Sequence, residues 1–340
     1  MNLSDKEFYK NRLEKNPGLL NLYRNILKDL EEVEEMLRLF SRSPNKLISE
    51  VSAYLFQENG KRIRPALVII CSKLLGYKGK EHIIMAALVE TIHTASLIHD
   101  DIIDNSTIRR GRQTIHARWG PNITVLLGDY LYIKALGLSL RSPYQRISQI
   151  LTDISARMID GELNEYFNSG NLDLDEKDYL AIIEDKTASL FSASCQIGGI
   201  LANASKREEN FLTEYGTNLG ISFQIVDDLL DFTGDEKVLG KPILSDLSEG
   251  RITLPLIYTL SNDGQENRQR IVEILQGKKL EKDSMEEILK MVKSNGALEY
   301  TYKKAEEFSS KSREIISRFP ESPHRDSLNL LSEFILTRRK

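Results

Sequence analysis

The stretch of sequence that decides the fold is KEHIIMAALVETIHTASLIHDDIIDNSTIRR, residues 80–110. It contains neither glycine nor proline, and its apolar residues recur three and four positions apart. This spacing places them on one face of a helix. Similar patterns run through most of the chain, whereas alternating, strand-like patterns are rare and short. The sequence therefore predicts an all-α protein, a bundle of long helices.

Size and composition indicate one large soluble domain. The chain has 340 residues, of which 41% are hydrophobic and 28% are charged, so it can bury a large core. No linker rich in proline, serine or glycine divides it, and we predict a single domain over residues 1–340 with its core at about 20–335. The net charge of −4 offers no bulk attraction to nucleic acid, so no nucleic-acid partner is expected.

The cysteines and the N-terminal residues indicate the compartment. Cys71 and Cys195 both lie in apolar helical runs, so we predict that they are buried and reduced. Residues 1–16 are polar and charged, without the pattern of a signal peptide. No uninterrupted apolar run reaches the length that spans a bilayer. We therefore expect a cytoplasmic protein with no transmembrane segment.

An acidic signature occurs twice, as DDIID at residues 100–104 and as DDLLD at residues 227–231, each after an apolar helical run. Residues three and four apart share a helix face, so the carboxylates of each copy are expected to converge. These carboxylates belong to Asp100, Asp101, Asp104, Asp227, Asp228 and Asp231. Clustered carboxylates repel one another unless a cation lies among them, and Mg²⁺ prefers oxygen ligands. One copy alone is usually a solvated helix face, but two copies after apolar runs favour an enzyme that grips a diphosphate through several Mg²⁺ ions.

Basic side chains accompany both acidic signatures. The turn GKRIRP at residues 60–65 opens a helix, and helix N-termini favour anions. The cationic candidates for diphosphate binding are Lys61, Arg64, Arg109, Arg110, Lys186, Lys241 and Arg251. Taken singly, each is as well explained by a solvated or ion-paired surface group. His93 lies two turns before the first signature and Gln224 one turn before the second, on nearly the same faces, although a core histidine is the commoner case.

Taken in order, these segments resemble the trans-isoprenyl diphosphate synthases, also called polyprenyl synthetases. The resemblance covers roughly residues 45–260 and depends on GKRIRP, HTASLIHDDIID, GDYL, KTA, FQIVDDLLD and LGKP. Two positions depart from the family pattern. Asn59 stands where glycine is common, and Arg251 stands where lysine is common.

The resemblance implies a fold, a reaction and a role for each candidate residue. The helices would surround a central prenyl-binding cavity, and a homodimer is expected. The reaction would condense isopentenyl diphosphate with an allylic diphosphate by Mg²⁺-assisted ionisation and 1'-4 chain elongation. The six aspartates would bind Mg²⁺. Isopentenyl diphosphate would contact Lys61, Arg64, His93 and Arg110. The allylic diphosphate would contact Arg109, Lys186, Thr187, Gln224, Lys241 and Arg251. Lys186, Thr187 and Gln224 would be the catalytic residues, with Thr187 and Gln224 near the reacting carbon.

Two small residues bear on product length. Ser96 lies one helical turn before Asp100, and Ala95 is adjacent to it. In this family a bulky aromatic residue at these positions stops the growing chain, so we predict that Ala95 and Ser96 leave the tunnel floor open for a long-chain product. The alternative is that both residues merely allow close helix packing and that the floor lies deeper.

Other functions remain open at this stage. A short-chain farnesyl or geranylgeranyl synthase would use the same motifs. A terpene cyclase also ionises a prenyl diphosphate at aspartates, but it would leave Lys61, Arg64 and Arg110 unused. A non-catalytic partner subunit of a prenyl synthase would not need intact acidic signatures. For a long-chain enzyme, peripheral membrane contact during product release is conceivable.

Overall fold

A computed structural model of the chain describes residues 17–56, 60–109, 111–234, 243–275, 277 and 282–338. Helices dominate these residues, which confirms the all-α prediction. The described residues contain one small sheet, in which β1 (Ile108–Arg109) pairs antiparallel with β2 (Arg112–Gln113). Gly111, between the two strands, has a φ of +77°, a backbone conformation that suits glycine.

The helices of the described residues are numbered in chain order. They are α1 Pro17–Tyr23, α2 Leu27–Phe40, α3 Lys46–Phe56, α4 Ile63–Leu74, α5 Glu81–Ile103, α6 Ile115–Trp119, α7 Pro121–Ser139, α8 Gln145–Phe167, α9 Glu176–Ile183, a π-helix Glu184–Ala188, α10 Ser189–Leu201, α11 Lys206–Thr233, α12 Ser245–Ser248, α13 Leu254–Asn262, α14 Gly264–Leu275, α15 Lys282–Ser294, α16 Ala297–Ile316 and α17 Pro323–Leu336.

The described residues fall into two compact units. The first unit takes its residues from Met1–Ser155, Leu190–Gly216 and Arg313–Leu331. The second takes them from Ala156–Ser189, Thr217–Ser312 and Ser332–Lys340. Helices α8, α11, α16 and α17 each contribute several residues to both units, and α10 contributes its first residue, Ser189, to the second. The single domain over residues 1–340 stays a prediction.

The core of the first unit is built around α5, the helix on which the fold prediction was based. Its 23 residues pack against α2, α4 and α7. Leu88 and Ile92 are fully buried, and each such side chain contributes roughly 1.5–3 kcal/mol. The sequence contains no uninterrupted apolar run long enough to span a bilayer, but by length and overall composition α5 could cross a membrane. In the protein, however, 67% of the most apolar window of this helix is buried. This burial is typical of a core helix.

The second unit holds α9, the π-helix, α12 to α15 and parts of α8, α11, α16 and α17. Ser222 on α11 donates a hydrogen bond to the carbonyl oxygen of Ala305 on α16, 2.9 Å away. Gly161 on α8 lies directly against the backbone of Lys186, and a side chain at that position would collide with it. The π-helix and α8 therefore approach each other closely because residue 161 is a glycine.

The prediction for the two cysteines is confirmed, since both are buried and free. Two connections between helices differ in length. Residues 168–175 form a loop between α8 and α9, and the side chain of Asp175 caps α9 by accepting from the backbone N–H of Asp178. Only Asp263 separates α13 from α14. The φ of +78° at Gly264 lets the chain reverse within so few residues.

Candidate active site

The first acidic signature lies at the C-terminal end of α5, where Asp104 is the residue that follows the last helical turn. Asp100 and Asp104 are half-buried, whereas Asp101 is 5% exposed. The Asp101 carboxylate accepts a hydrogen bond of 2.7 Å from Nε of Arg109. Burial raises the pKa of Asp101, and the Arg109 charge opposes that shift. The Asp104 charge adds to the raised pKa of Asp101. Burial disfavours the charged form of Arg109, but Asp100, Asp101 and Asp104 all raise its pKa. The three carboxylates therefore converge on Arg109, and they are not arranged to hold a metal ion.

A cleft in the first unit joins several of the predicted substrate-binding residues. His93, Asp101 and Arg109 line it, together with Tyr54 and the apolar Leu97. Nη1 of Arg64 lies 3.0 Å from Nε2 of His93, so these two predicted isopentenyl diphosphate ligands are in direct contact. Arg64 also stacks over the ring of Phe191, 4.6 Å from its centroid. The cleft thus combines cationic groups with an apolar wall.

Three residues named from the sequence lie outside the described residues. They are Arg110, predicted to bind isopentenyl diphosphate, Lys241, predicted to bind the allylic diphosphate, and Asn59 in the turn before Lys61. Their roles stay predictions.

The two predicted floor residues differ in environment. Ala95 is fully buried in the packed interior of the first unit. Ser96 is half-buried and lies four residues before Asp100, so the two share one face of α5. Ser96 therefore lies on the Asp100 side of α5, whereas Ala95 does not, and the role of both residues in product length stays a prediction.

The second acidic signature lies inside α11, and its middle residue is the centre of a hydrogen-bond chain. Asp228 is 4% exposed and accepts bonds from Oη of Tyr179 at 2.6 Å and from Nε2 of Gln224 at 2.8 Å. Gln224 in turn accepts a bond of 2.9 Å from the hydroxyl of Thr187. Burial, followed by the nearby Asp246 carboxylate, raises the pKa of Asp228 well above its usual value. The structure therefore brings Thr187 and Gln224 into direct contact, and their catalytic role stays a prediction.

The outer two aspartates of this signature have different partners. Asp227 is exposed, and Nη2 of Arg338 lies 2.8 Å from its carboxylate. Asp231 is 1% exposed and accepts bonds from the Ser245 hydroxyl at 2.8 Å and from the backbone N–H of Asp246 at 3.2 Å. Asp231 thus holds the start of α12 in place.

Lys186 and Arg251, both predicted to bind the allylic diphosphate, meet at one carboxylate. Lys186 forms ion pairs with Glu162 at 2.7 Å and with Glu165. Nε of Arg251 lies 3.6 Å from Glu165, and Arg251 also pairs with Glu249 at 2.6 Å. Two cations that share a carboxylate are close enough to hold one diphosphate. A diphosphate would have to replace Glu165 as their counter-charge.

Within the parts of the chain that the structure describes, no three acidic, histidine or cysteine side chains are already arranged to hold a metal ion. The convergence predicted for Asp227, Asp228 and Asp231 is therefore wrong, since Asp228 and Asp231 turn to protein donors. The chemistry of each signature still fits hard cations. The half-buried Asp100 and Asp104 of the first unit and the exposed Asp227 of the second carry carboxylate oxygens, the ligand type that Mg²⁺ and Ca²⁺ prefer.

The sequence model of the polyprenyl synthetase family matches residues 45–292. The chain belongs to this family. It is 37% identical over 331 residues to the geranylgeranyl diphosphate synthase of Saccharolobus solfataricus, which covers 94% of this chain and 98% of that protein. It is 36% identical over 296 residues to the octaprenyl diphosphate synthase of Escherichia coli, covering 86% and 90% respectively.

The crystal structure of a polyprenyl synthase from Caulobacter crescentus, complexed with calcium and isoprenyl diphosphate, has the same fold. The TM-score is 0.89 at 31% identity, and the match covers 95% of this chain and 98% of that one. The all-α fold of the polyprenyl synthetase family is therefore confirmed.

Several residues at the sites of this polyprenyl synthetase were missed by sequence reasoning. Glu162 and Glu165 follow Gly161 on α8, and their spacing of three could have marked them as one carboxylate face. Tyr179 and Arg338 gave no signal, because they lie 49 and 111 residues from the aspartates that they contact.

Proposed function

We propose that this chain is a trans-prenyltransferase that condenses isopentenyl diphosphate with an allylic prenyl diphosphate and extends it in 1'-4 steps. The single observation that carries the proposal is the membership of the polyprenyl synthetase family, with both acidic signatures intact. The arrangement inside each unit supports it. The first unit joins Arg64 to His93, and the second joins Lys186 to Arg251 and Thr187 to Gln224.

Divalent cations, which we propose to be Mg²⁺, would be held by the half-buried Asp100 and Asp104 in the first unit and by the exposed Asp227 in the second. Bound there, they would neutralise the charge that grows on the departing diphosphate. Asp101, Asp228 and Asp231 would contribute indirectly, by fixing the side chains that already donate hydrogen bonds to them.

The protein side chains would divide the remaining work. Lys186 and Arg251 would bind the allylic diphosphate and stabilise its leaving charge, since preorganised cations act strongly in a site with little water. Thr187 and Gln224, fixed by their mutual bond, would face the reacting carbon with uncharged oxygen atoms. Arg64 and His93 would orient isopentenyl diphosphate so that its double bond attacks. The lost proton would leave with the diphosphate, and no protein nucleophile is required.

The test is incubation of the purified chain with isopentenyl diphosphate, an allylic starter and Mg²⁺, followed by sizing of the products. We expect successive incorporation of five-carbon units. Ionisation of the starter without incorporation would instead identify a cyclase, and no reaction with either substrate would defeat the proposal.

We further propose a long-chain product, beyond geranylgeranyl length. The relatives do not decide this, since a geranylgeranyl synthase and an octaprenyl synthase are almost equally similar to the chain. The support comes from the small side chain of Ser96 on the Asp100 face of α5. Ser96→Phe should shorten the product, whereas Ser155→Ala, at a buried position on α8, should leave its length unchanged. A product of unchanged length from Ser96→Phe would place the floor elsewhere.

We propose a homodimer. Each unit exposes an apolar helix face of the kind that marks an interaction surface. On α7 the side chain of Ile133 is 71% exposed and that of Leu126 is 64% exposed. On α8 Leu163 is 49% exposed and Phe167 is 80% exposed. Sedimentation of the purified chain should give twice the mass of one chain, and Ile133→Asp should yield monomers.

A cytoplasmic location, with peripheral membrane contact during product release, also remains a proposal. Fractionation of cells that express the chain should recover it in the soluble fraction at high salt.

A further inference from the structure

A buried cluster of three charged side chains adjoins the turn that carries Lys61. The Arg62 side chain is 4% exposed and lies between two buried glutamates. Its Nε and Nη2 donate to the two carboxylate oxygens of Glu34 at 2.6 and 3.2 Å. Its Nη1 donates to Glu90 at 2.7 Å. The guanidinium thus connects the turn to α2 through Glu34 and to α5 through Glu90.

The backbone at Arg62 has an unusual conformation. Its φ of 56° and ψ of 36° lie in the left-handed region, which residues with a side chain seldom adopt. Such conformations persist where the surroundings determine them on several sides. Here the carbonyl of Lys61 accepts a bond of 3.0 Å from Oη of Tyr23, which is fully buried, and the carbonyl of Arg62 accepts from the N–H of Ala66.

The position of this turn determines where two predicted substrate ligands lie. Arg62 immediately follows Lys61 and precedes α4, whose second residue is Arg64. Its partner Glu90 lies one helical turn before His93 on α5, and His93 contacts Arg64. One guanidinium therefore fixes Lys61 and Arg64 relative to the helix that carries His93. Arg62 and Glu90 both form part of the wall of the cleft that His93 lines.

We infer that Arg62 is a positioning residue for isopentenyl diphosphate, which acts by holding the Lys61 turn against Glu34 and Glu90 rather than by touching the substrate. This inference rests on the proposed function and names the support of one of its two diphosphate sites. All three polar contacts of the guanidinium described above go to glutamates, so its charge is already matched inside the protein.

The geometry requires arginine at this position. Two nitrogens bind one carboxylate side by side while a third reaches a second carboxylate, and the ammonium of lysine cannot reproduce that fork. Burial disfavours the charged form of Arg62, but the two glutamates outweigh it and raise its pKa. The cation therefore persists throughout the pH range in which the protein is folded.

The matched control is another arginine–glutamate pair of the first unit. Arg146 also grips a buried carboxylate, that of Glu209, through two nitrogens. It lies on α8 and is absent from the wall of the cleft. Arg62→Lys and Arg146→Lys therefore make the same chemical change, once beside the Lys61 turn and once away from it.

The experiment measures the KM values for both substrates, the direct binding of isopentenyl diphosphate by calorimetry, and the thermal unfolding of each variant. For Arg62→Lys we expect the KM and the Kd for isopentenyl diphosphate to rise about tenfold, because a small displacement of oriented groups has large effects. The KM for the allylic substrate should change less than twofold. Glu34→Gln, which keeps the shape of the partner side chain, should raise the same KM and Kd about threefold. Arg146→Lys should alter only the unfolding temperature.

Unchanged isopentenyl diphosphate binding in both Arg62→Lys and Glu34→Gln, with lowered unfolding temperatures, would overturn the inference and leave Arg62 a purely structural residue. Equal increases in both KM values would also overturn it. Calorimetry separates this result from a failure of the proposed function. A wild-type chain that binds isopentenyl diphosphate without elongating a starter defeats the function alone, whereas one that does not bind it at all defeats both.

Discussion

The two acidic signatures share one pattern but obtain their partners differently. In the first, at the end of α5, the middle aspartate Asp101 is paired with a full positive charge on Arg109. In the second, inside α11, the middle aspartate Asp228 is held by two uncharged donors, Tyr179 and Gln224. In both, the middle aspartate is buried and the first is less buried, Asp100 being half-buried and Asp227 exposed. A repeated motif therefore predicts which carboxylates are available, while the surrounding helices determine how the buried one is stabilised.

The most direct test of whether the two signatures have equivalent roles is to replace the first aspartate of each. Asp100→Asn and Asp227→Asn should each lower kcat by about 10²–10³-fold, because each removes charge that would hold the cation at the leaving group. The matched control is Asp173→Asn, an exposed aspartate that pairs with Arg268. Steady-state assays at saturating substrate check this. If either variant kept more than half of its activity, that signature would not belong to the reaction.

The charged partners should differ in their effect on stability. Arg109→Met leaves the buried Asp101 carboxylate without its cation and should cost about 3 kcal/mol. Arg338→Met leaves Asp227, whose side chain is 49% exposed and can be hydrated, while methionine keeps part of the packing of the buried Arg338 side chain on Phe223. The change should therefore cost only about 1 kcal/mol. It should also lower the Mg²⁺ concentration needed for half-maximal activity, because Arg338 would no longer compete for Asp227. Urea unfolding and a Mg²⁺ titration measure both effects. Equal losses of stability would mean that exposure does not distinguish the two pairs.

An uncharged donor to Asp228 should be less costly to remove. Tyr179→Phe deletes one hydrogen bond to a buried carboxylate and should destabilise the protein by about 1–2 kcal/mol. Tyr258→Phe is the matched control, since Tyr258 stacks on the ring of Tyr300 in the same unit. Urea unfolding of the two variants should therefore give different midpoints, and coincident curves would remove Tyr179 as a support of the second signature.

The smallest expected effect concerns Glu209, a carboxylate away from both signatures, and is a change in how the free energy of unfolding depends on pH. Burial alone would raise the pKa of Glu209, but hydrogen bonds from Arg146 and Gln196 lower it below its unfolded value. Its contribution to stability is therefore fully present above the unfolded pKa of about 4.3 and is lost as pH falls through the folded pKa. The wild-type chain should lose stability more steeply below pH 4.5 than Glu209→Gln. Parallel curves of unfolding free energy against pH would contradict this.

Local features of this fold could be predicted from the sequence, whereas the side-chain contacts between residues far apart in the chain could not. The apolar spacing in residues 80–110 predicted α5 because a helix repeats every 3.6 residues. The spacing of the first acidic signature also predicted that its carboxylates converge, but not that they converge on Arg109. By contrast, Arg62 meets Glu34 and Glu90 across 28 residues of chain on either side. Such contacts arise from the packing of different helices, so the spacing of residues within one segment cannot predict them.

The wide turn at Glu184–Ala188 has a consequence for length variation in this segment. A π-helix holds one residue more per turn than an α-helix would in the same span. Deleting a single codon there would restore the regular turn and swing Lys186 by about 100° around the axis relative to Tyr179. The ammonium would then leave Glu162 and Glu165, and Gly161 would no longer face it. Viable descendants of this gene should therefore tolerate gaps in the flanking loops and keep the length of this one turn.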